Sequence, residues 1–217
     1  MLARGGAEAG ALKIGRYMAG NSERRLVVGV SGASGAIYGV RVLDACREMG
    51  VESHLIVSRA AALTLKEETG LSPGDLAAKA GVTYRILDVG AAVASGSYPT
   101  LGMIVAPCSV RTFSEIATGV TSSLLTRAAD VTLKERRPLV LMVRETPLHL
   151  GHLRTLARLA EMGAVIAPPV PAFYARPSSL EEMVDQSVGR ALDLFGLAWK
   201  AVRRWEGGAP ALGEMDR

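Results

Sequence analysis

Aromatic side chains make up only 5% of the 217 residues, with two tryptophans and three phenylalanines. A chain this poor in ring faces has little with which to stack on bases, so nucleic acid is disfavoured as a partner. The formal net charge of +4 comes from arginines spread along the chain, which suits an anionic small ligand better than a duplex-binding face. There are two cysteines, Cys46 and Cys108, far apart and without a C-x-x-C spacing. That excludes a disulfide framework and a zinc ribbon and fits a reducing cytoplasm. Long apolar runs are missing as well: none reaches the roughly 18 residues of a membrane span, and the first 20 or so residues lack the apolar core of a secretory signal. What is abundant is Ala, Val, Leu and Gly, the composition of a sheet sandwiched between helices, in a chain long enough for one sizeable α/β domain.

The organising stretch is Arg24-Arg25-Leu26-Val27-Val28-Gly29-Val30-Ser31-Gly32-Ala33-Ser34-Gly35-Ala36-Ile37. A β-branched apolar run breaks into small residues and restarts with helix formers, which reads as strand, tight turn and helix start. The free N–H groups of that helix start and the missing Cβ atoms at Gly32 and Gly35 make it an anion-binding junction. An amphipathic helix over Ala36 to Met49 and a second strand over Val51 to Val57 complete a βαβ unit, so the two strands are expected parallel. Ser58 is expected to cap a helix running to about Thr69, and Ser72-Pro73 to open a short further one.

Further strands are expected over Tyr84 to Val89, Leu101 to Ala106, Leu139 to Val143 and Ala164 to Ala167. The Pro107-Cys108-Ser109 turn leads into a helix over Val110 to Thr118, repeating the strand, serine and helix-start pattern; in an open parallel sheet ligands collect at such carboxyl ends. A helix opening at Ser123 carries Arg127 and Lys134 on one face, two turns apart. On pattern alone these are a solvated stripe. Arg144 and Glu145, by contrast, end an apolar strand at the ligand-binding rim, with Pro147 suited to the first turn of the helix that follows. In that helix, expected over Leu148 to Glu161, Leu150, Leu153, Ala157 and Ala160 mark the packed face. His149 and His152 lack a third ligand and do not make a metal site. The proline-stiffened loop from Pro168 to Pro177 presents Phe173 and Tyr174 as a wall, and a last long helix runs from Ser179 to about Trp199 with Arg190 off its apolar stripe. Residues 1–23 read as a flexible extension, 24–199 as a single domain and 200–217 as a tail.

From about Arg25 to Gly196 the chain resembles the UbiX/Pad family of flavin prenyltransferases, earlier described as 3-octaprenyl-4-hydroxybenzoate carboxy-lyases or aromatic acid decarboxylases. The motifs that carry the resemblance are Gly-Val-Ser-Gly-Ala-Ser-Gly-Ala, Ala-Ser-Gly-Ser-Tyr, Ala-Pro-Cys-Ser, Leu-Leu-Thr-Arg-Ala-Ala-Asp-Val, Leu-Lys-Glu-Arg-Arg-Pro-Leu-Val-Leu, Val-Arg-Glu-Thr-Pro-Leu-His and Pro-Pro-Val-Pro-Ala-Phe-Tyr. The resemblance implies a flavodoxin-like parallel sheet, FMN bound between subunits, and a homo-oligomer, commonly a dodecamer. It implies metal-free transfer of a dimethylallyl group from dimethylallyl monophosphate to reduced FMN, joining C1′ to flavin N5 and C3′ to C6. The product, prenylated FMN, serves a partner decarboxylase of the UbiD type, as in ubiquinone synthesis.

Carried over by motif, Gly32, Ala33, Ser34, Ser58, Ser109, Val110, Arg111, Thr112 and Arg144 hold FMN. Ser34 near N5, Glu68 and Glu145 move protons. Lys134, Tyr174 and Arg190, with Arg127 close by, meet the prenyl phosphate, because cations aimed at a departing phosphate stabilise its departure. Tyr98, at a position often Phe or Trp in the family, offers a ring face to the allylic cation. Cys108, behind Pro107 at a strand end, reads as a small packing residue and not as a nucleophile. Two other readings are an FMN carrier, which needs no second phosphate site, and a direct aromatic acid decarboxylase.

Overall fold

The computed structural model describes residues 24–204. The expected extension, 1–23, and residues 205–217 of the expected tail lie outside the described residues. Strands and helices alternate as β1 (Arg25–Val30), α1 (Ala36–Glu48), β2 (Glu52–Val57), α2 (Arg59–Thr69), α3 (Pro73–Ala77), β3 (Val82–Tyr84), β4 (Met103–Cys108), α4 (Val110–Thr118), α5 (Leu124–Lys134), β5 (Leu139–Val143), α6 (Leu150–Glu161), β6 (Val165–Ile166) and α7 (Leu180–Leu192). All neighbouring strands pair parallel, in the order β3-β2-β1-β4-β5-β6. This is the flavodoxin-like three-layer fold.

Period-two alternation in the strands feeds two cores. Leu26, Val28 and Val30 of β1 face the layer of α1 and α7, packing with Leu43, Val184, Val188 and Leu192. Val27 and the alternate residues of β4 and β5 face Phe113, Leu125 and Leu159 on the other side. Strands β4 and β5 are buried throughout, as central strands of a parallel sheet must be. The order reverses between β1 and β4, and a crevice opens there above the carboxyl ends of the strands.

Four boundaries differ from expectation. The third strand is Val82–Tyr84, paired to His54, Leu55 and Ile56, because β2 offers no further partners beyond Val57 and the chain turns away at Arg85. Strand β4 continues through Pro107 and Cys108; its register against β5 is irregular between Val105 and Cys108, and that interruption accommodates a residue with no N–H to donate. Pro147 precedes α6 instead of entering its first turn, since His149 is the N-cap and accepts from His152 N. Helix α7 ends at Leu192, and after a short 3-10 turn Gly196 takes a left-handed conformation, φ 72°, which breaks the expected continuation to Trp199.

Two packing expectations are corrected as well. Helix α6 carries two apolar stripes roughly 100° apart. The buried one is Leu156 and Leu159, while Leu150, Leu153, Ala157 and Ala160 face outward. Residues 200–204 belong to the domain and not to a tail: Trp199 and Val202 are buried, Trp199 Nε1 donates to Glu48 at 2.6 Å, and Arg203 N donates to Gln186 Oε1 at 3.0 Å.

Candidate active site

The turn after β1 needs its small residues for close approach. A Cβ placed on Gly32 would stand 2.3 Å from the Cβ of Ala60 on α2, a distance no packed side chain tolerates, and Gly35 has a φ of +98° that only glycine adopts freely. The anion position at the start of α1 is filled from within: Glu68 Oε2 accepts from both Gly35 N and Ala36 N at 2.8 Å. Glu68 also bonds the Ser34 side chain. Although partial burial works against its charge, the bonds from Ala36, Ser34 and Gly35 and the nearby Arg144 guanidinium hold its carboxyl below the usual range. Arg144 in turn donates from Nε to the Ser34 carbonyl at 3.1 Å. Ser34, Glu68 and Arg144 thus form one cluster at the head of α1.

Three other helix starts point into the same crevice. Ser58 caps α2, accepting from Ala61 N. Ser109 caps α4, accepting from Thr112 N, and Ser123 caps α5 with Thr126 in a reciprocal capping box. Buried Ser31 ties β1 to β4: its Oγ donates to Pro107 O at 2.8 Å and accepts from Ser109 N at 2.7 Å. Between these starts lies a cavity of about 790 Å³. Every residue expected to hold FMN lines it, namely Gly32, Ala33, Ser34, Ser58, Ser109, Val110, Arg111, Thr112 and Arg144, and so does Glu145. Helix dipoles and capped N–H groups of unfilled starts suit a phosphate, the cavity volume suits a flavin nucleotide, and Gly32 permits a flat ring against the main chain. Cys108, the last residue of β4, is fully buried, and burial raises its thiol pKa beyond the range of a nucleophile; it packs, as expected.

The sequence reading missed other lining residues: Arg59, Ile86, Leu87, Glu115, Ser122, Ser123 and Thr126. Arg59 follows directly from the cap at Ser58, and Ser122-Ser123 from the cap of α5; those signals were present. Nothing in the spacing marked Glu115, whose carboxylate is held low against its partial burial by Arg111 and Ser122. Arg111 Nε donates to it at 2.8 Å and Ser122 Oγ at 2.7 Å.

One chain does not bring the expected prenyl phosphate residues together. Arg127 pairs with Asp130 at 2.7 Å and Lys134 with Glu135, and neither lines the cavity. Tyr98 lies near the amino ends of the strands, where Arg25, the first residue of β1, stands 4.9 Å from its ring centroid. Lys134 ends α5 beside the same loop, so both are at the opposite edge of the sheet from Glu145. Arg190 lines a separate cavity of about 140 Å³ with Pro168 and Pro169. It donates to Asp193 at 2.6 Å, and Tyr174 OH accepts from Gln186 Nε2 at 3.2 Å. His149 and His152 stack at 3.6 Å. Among the described residues no group of three or more metal-ligating side chains converges, and no helix is long and apolar enough to cross a membrane.

A family profile described as Flavoprotein matches residues 15–192. The flavin prenyltransferase UbiX of Escherichia coli K12 is 55% identical over 187 residues, which cover 85% of this chain and 99% of that protein. The crystal structure of AnUbiX (PadA1) in complex with FMN and dimethylallyl pyrophosphate superposes with a TM-score of 0.84 at 49% identity, over 86% of this chain and 100% of the other. A dodecameric FMN-dependent Ubix-like decarboxylase from Escherichia coli O157:H7 superposes with a TM-score of 0.82 at 46% identity, over 84% and 100%.

Proposed function

The chain belongs to the Flavoprotein family and, within it, to the flavin prenyltransferases of the UbiX type, and we propose from that membership how its residues perform the transfer. The enzyme binds FMN and joins a dimethylallyl group to it; the donor is dimethylallyl monophosphate, and the bonds form at flavin N5 and C6. The observation that carries this reading is the single cavity that gathers all the flavin-holding residues, with Glu145 on its rim and Glu68 behind Ser34.

In this reading the phosphate of FMN sits against the starts of α2 and α4, because Glu68 already fills the start of α1. Ser34 presents its hydroxyl to the reactive edge of the ring, and Glu68, ionised and hydrogen-bonded to it, accepts or returns a proton through it. Arg144 anchors the turn through the Ser34 carbonyl and lends positive charge to the cavity. Glu145, exposed on the rim, serves as acid or base for the departing phosphate. Tyr98, Arg127, Lys134, Tyr174 and Arg190 form the donor site, with the set split by the single chain reunited between copies in a homo-oligomer, a dodecamer as in the Escherichia coli O157:H7 relative. The product goes to a UbiD-type decarboxylase in the cytoplasm.

The deciding experiment is anaerobic incubation with reduced FMN and dimethylallyl monophosphate, followed by mass analysis of the flavin. The expected product is heavier by one dimethylallyl group. An unchanged flavin mass with both ligands bound would make the chain a carrier, and release of CO₂ from an aromatic acid by the protein alone would make it a decarboxylase. Glu145→Gln is expected to slow adduct formation while leaving FMN bound.

A further inference from the structure

A single side chain fastens the loop that carries Tyr98 to the end of α5. Arg137 Nη1 donates to the Tyr98 carbonyl and Nη2 to the Gly96 carbonyl, each at 2.7 Å. A guanidinium offers its N–H groups in a rigid planar fork, so two bonds to two carbonyls of one loop fix its orientation as well as its distance. The way α5 stops sets the place of Arg137. Arg136 takes a left-handed conformation, φ 55°, while Arg136 N donates to Leu133 O and Arg137 N to Thr132 O, both at 2.9 Å. That is the Schellman closure of a helix, and it sends Arg137 toward the loop. The loop backbone is pressed against α5 at the same point: a Cβ on Gly96 would stand 2.7 Å from Lys134 Nζ and closer still to the Glu135 carboxylate.

We propose that Arg137 is a positioning residue of the prenyl donor site, locking the 96–98 loop onto the end of α5 so that the Tyr98 ring and the Lys134 ammonium keep one fixed separation. The inference rests on the reading of Tyr98 and Lys134 as donor residues and adds what holds them. An allylic group that ionises needs the ring face and the phosphate-binding cation placed together, and a misplacement of about 1 Å at such a site costs about a hundredfold in rate. Lys134 stands on a helix, which holds itself. Tyr98 stands on a loop, and among the described residues the other hydrogen bonds of 95–98 stay inside it: Ser95 N to Ala92 O at 3.0 Å, Tyr98 N to Ser95 O at 3.3 Å, and the Ser95 and Ser97 hydroxyls at 2.9 Å. Arg25 and His54 flank the Tyr98 ring at 4.9 and 5.6 Å, while Arg137 holds the backbone that bears it.

The test is single-turnover prenylation of reduced FMN by the full chain at a series of dimethylallyl monophosphate concentrations, with flavin titration and circular dichroism alongside. For Arg137→Gln the expected result is an unchanged fold, FMN affinity within about twofold of wild type, and a half-saturating donor concentration raised, or a saturating rate lowered, by about tenfold. Adding Arg137→Gln to Tyr98→Leu is expected to cost less than about twofold more, because Arg137 acts through Tyr98. Wild-type donor dependence in folded Arg137→Gln overturns the proposal. So does an undiminished effect of Arg137→Gln in the Tyr98→Leu background, or a parallel loss of FMN affinity, which marks a residue of general structure. If Tyr98→Leu and Lys134→Ala also transfer like wild type, the donor reading falls with it; if they are impaired and Arg137→Gln is not, the donor reading stands and the role of Arg137 falls. Should Arg137→Gln misfold, Arg137→Lys decides, since it keeps the charge and loses the fork: donor use weaker by at least about threefold supports the proposal, and wild-type donor use refutes it.

Discussion

The carboxylate of Glu68 accepts a hydrogen bond from the backbone N–H of Ala36 at 2.8 Å, so helix α1 carries its own counter-anion. A flavin phosphate cannot use that position without displacing a bonded carboxylate. Glu68→Gln keeps an acceptor oxygen there and removes the charge. FMN affinity is expected to change by less than about threefold, while prenylation slows by roughly tenfold or more if Glu68 moves protons through Ser34. Titration of apo protein with FMN and single-turnover rates separate the two. Because the carboxyl sits below its ordinary 4.5, the stabilisation it provides is fully present above that pH and is lost only as pH falls through the lower folded value.

Gly32→Ala places a methyl group 2.3 Å from the Cβ of Ala60. Helix α2 must shift away from the turn, carrying Ser58 and Arg59 with it. Overpacking of this kind costs about 1–3 kcal/mol, and FMN affinity is expected to fall along with the melting temperature. Denaturant unfolding of the apo protein measures the first and flavin titration the second.

His54 is almost fully buried on β2, with Nδ1 2.9 Å from Tyr84 OH and Nε2 3.5 Å from a Glu52 carboxylate oxygen. Burial lowers its pKa; Glu52 opposes that and Arg25 adds to it. The unfolded chain therefore takes up this proton more readily than the native one, so stability contributed by the neutral ring is complete above pH 6.5 and declines as pH falls below it. Melting curves between about pH 5 and 7.5 are expected to show a steeper acid loss for the wild type than for His54→Gln. Parallel curves would place the sensitivity elsewhere.

Val202 packs so closely on Gly189 that a Cβ there would lie 1.8 Å from Val202 Cγ2. Gly189→Ala is expected to expel the 199–204 segment from α7 and destabilise the protein by about 1–3 kcal/mol. Adding Val202→Ala should recover part of that loss, and a double-mutant cycle in urea measures the coupling.

Motif chemistry was legible where local rules govern. The expected caps at Ser58 and Ser72 bond as their spacing predicts, and the residues expected to hold FMN fall on one cavity because all of them follow strand ends. Legibility failed where a local pattern admits two tertiary outcomes. Both flanks of α6 are apolar, and periodicity cannot rank a stripe on the side that meets α4 and β6 over one left outside. The end of α7 was hidden because Gly196 inside an apolar helical pattern does not announce its φ. Glu68 was located by resemblance, and its hold on the start of α1 spans 32 positions, a pairing no local pattern encodes.

The reversal of strand order between β1 and β4 bears on how this protein becomes competent. The cavity walls come from the turns after β1, β2, β4 and β5, residues 32–34, 58–60, 109–112 and 144–145, together with 86–87, Glu115, 122–123 and 125–126, so no early fragment of the chain possesses the whole cavity. The pairing of β1 with β4 spans a whole intervening unit and pays its loop-closure entropy late. Flavin capture therefore reports completion of the central sheet, and quenching of FMN fluorescence during refolding should follow the slowest structural phase.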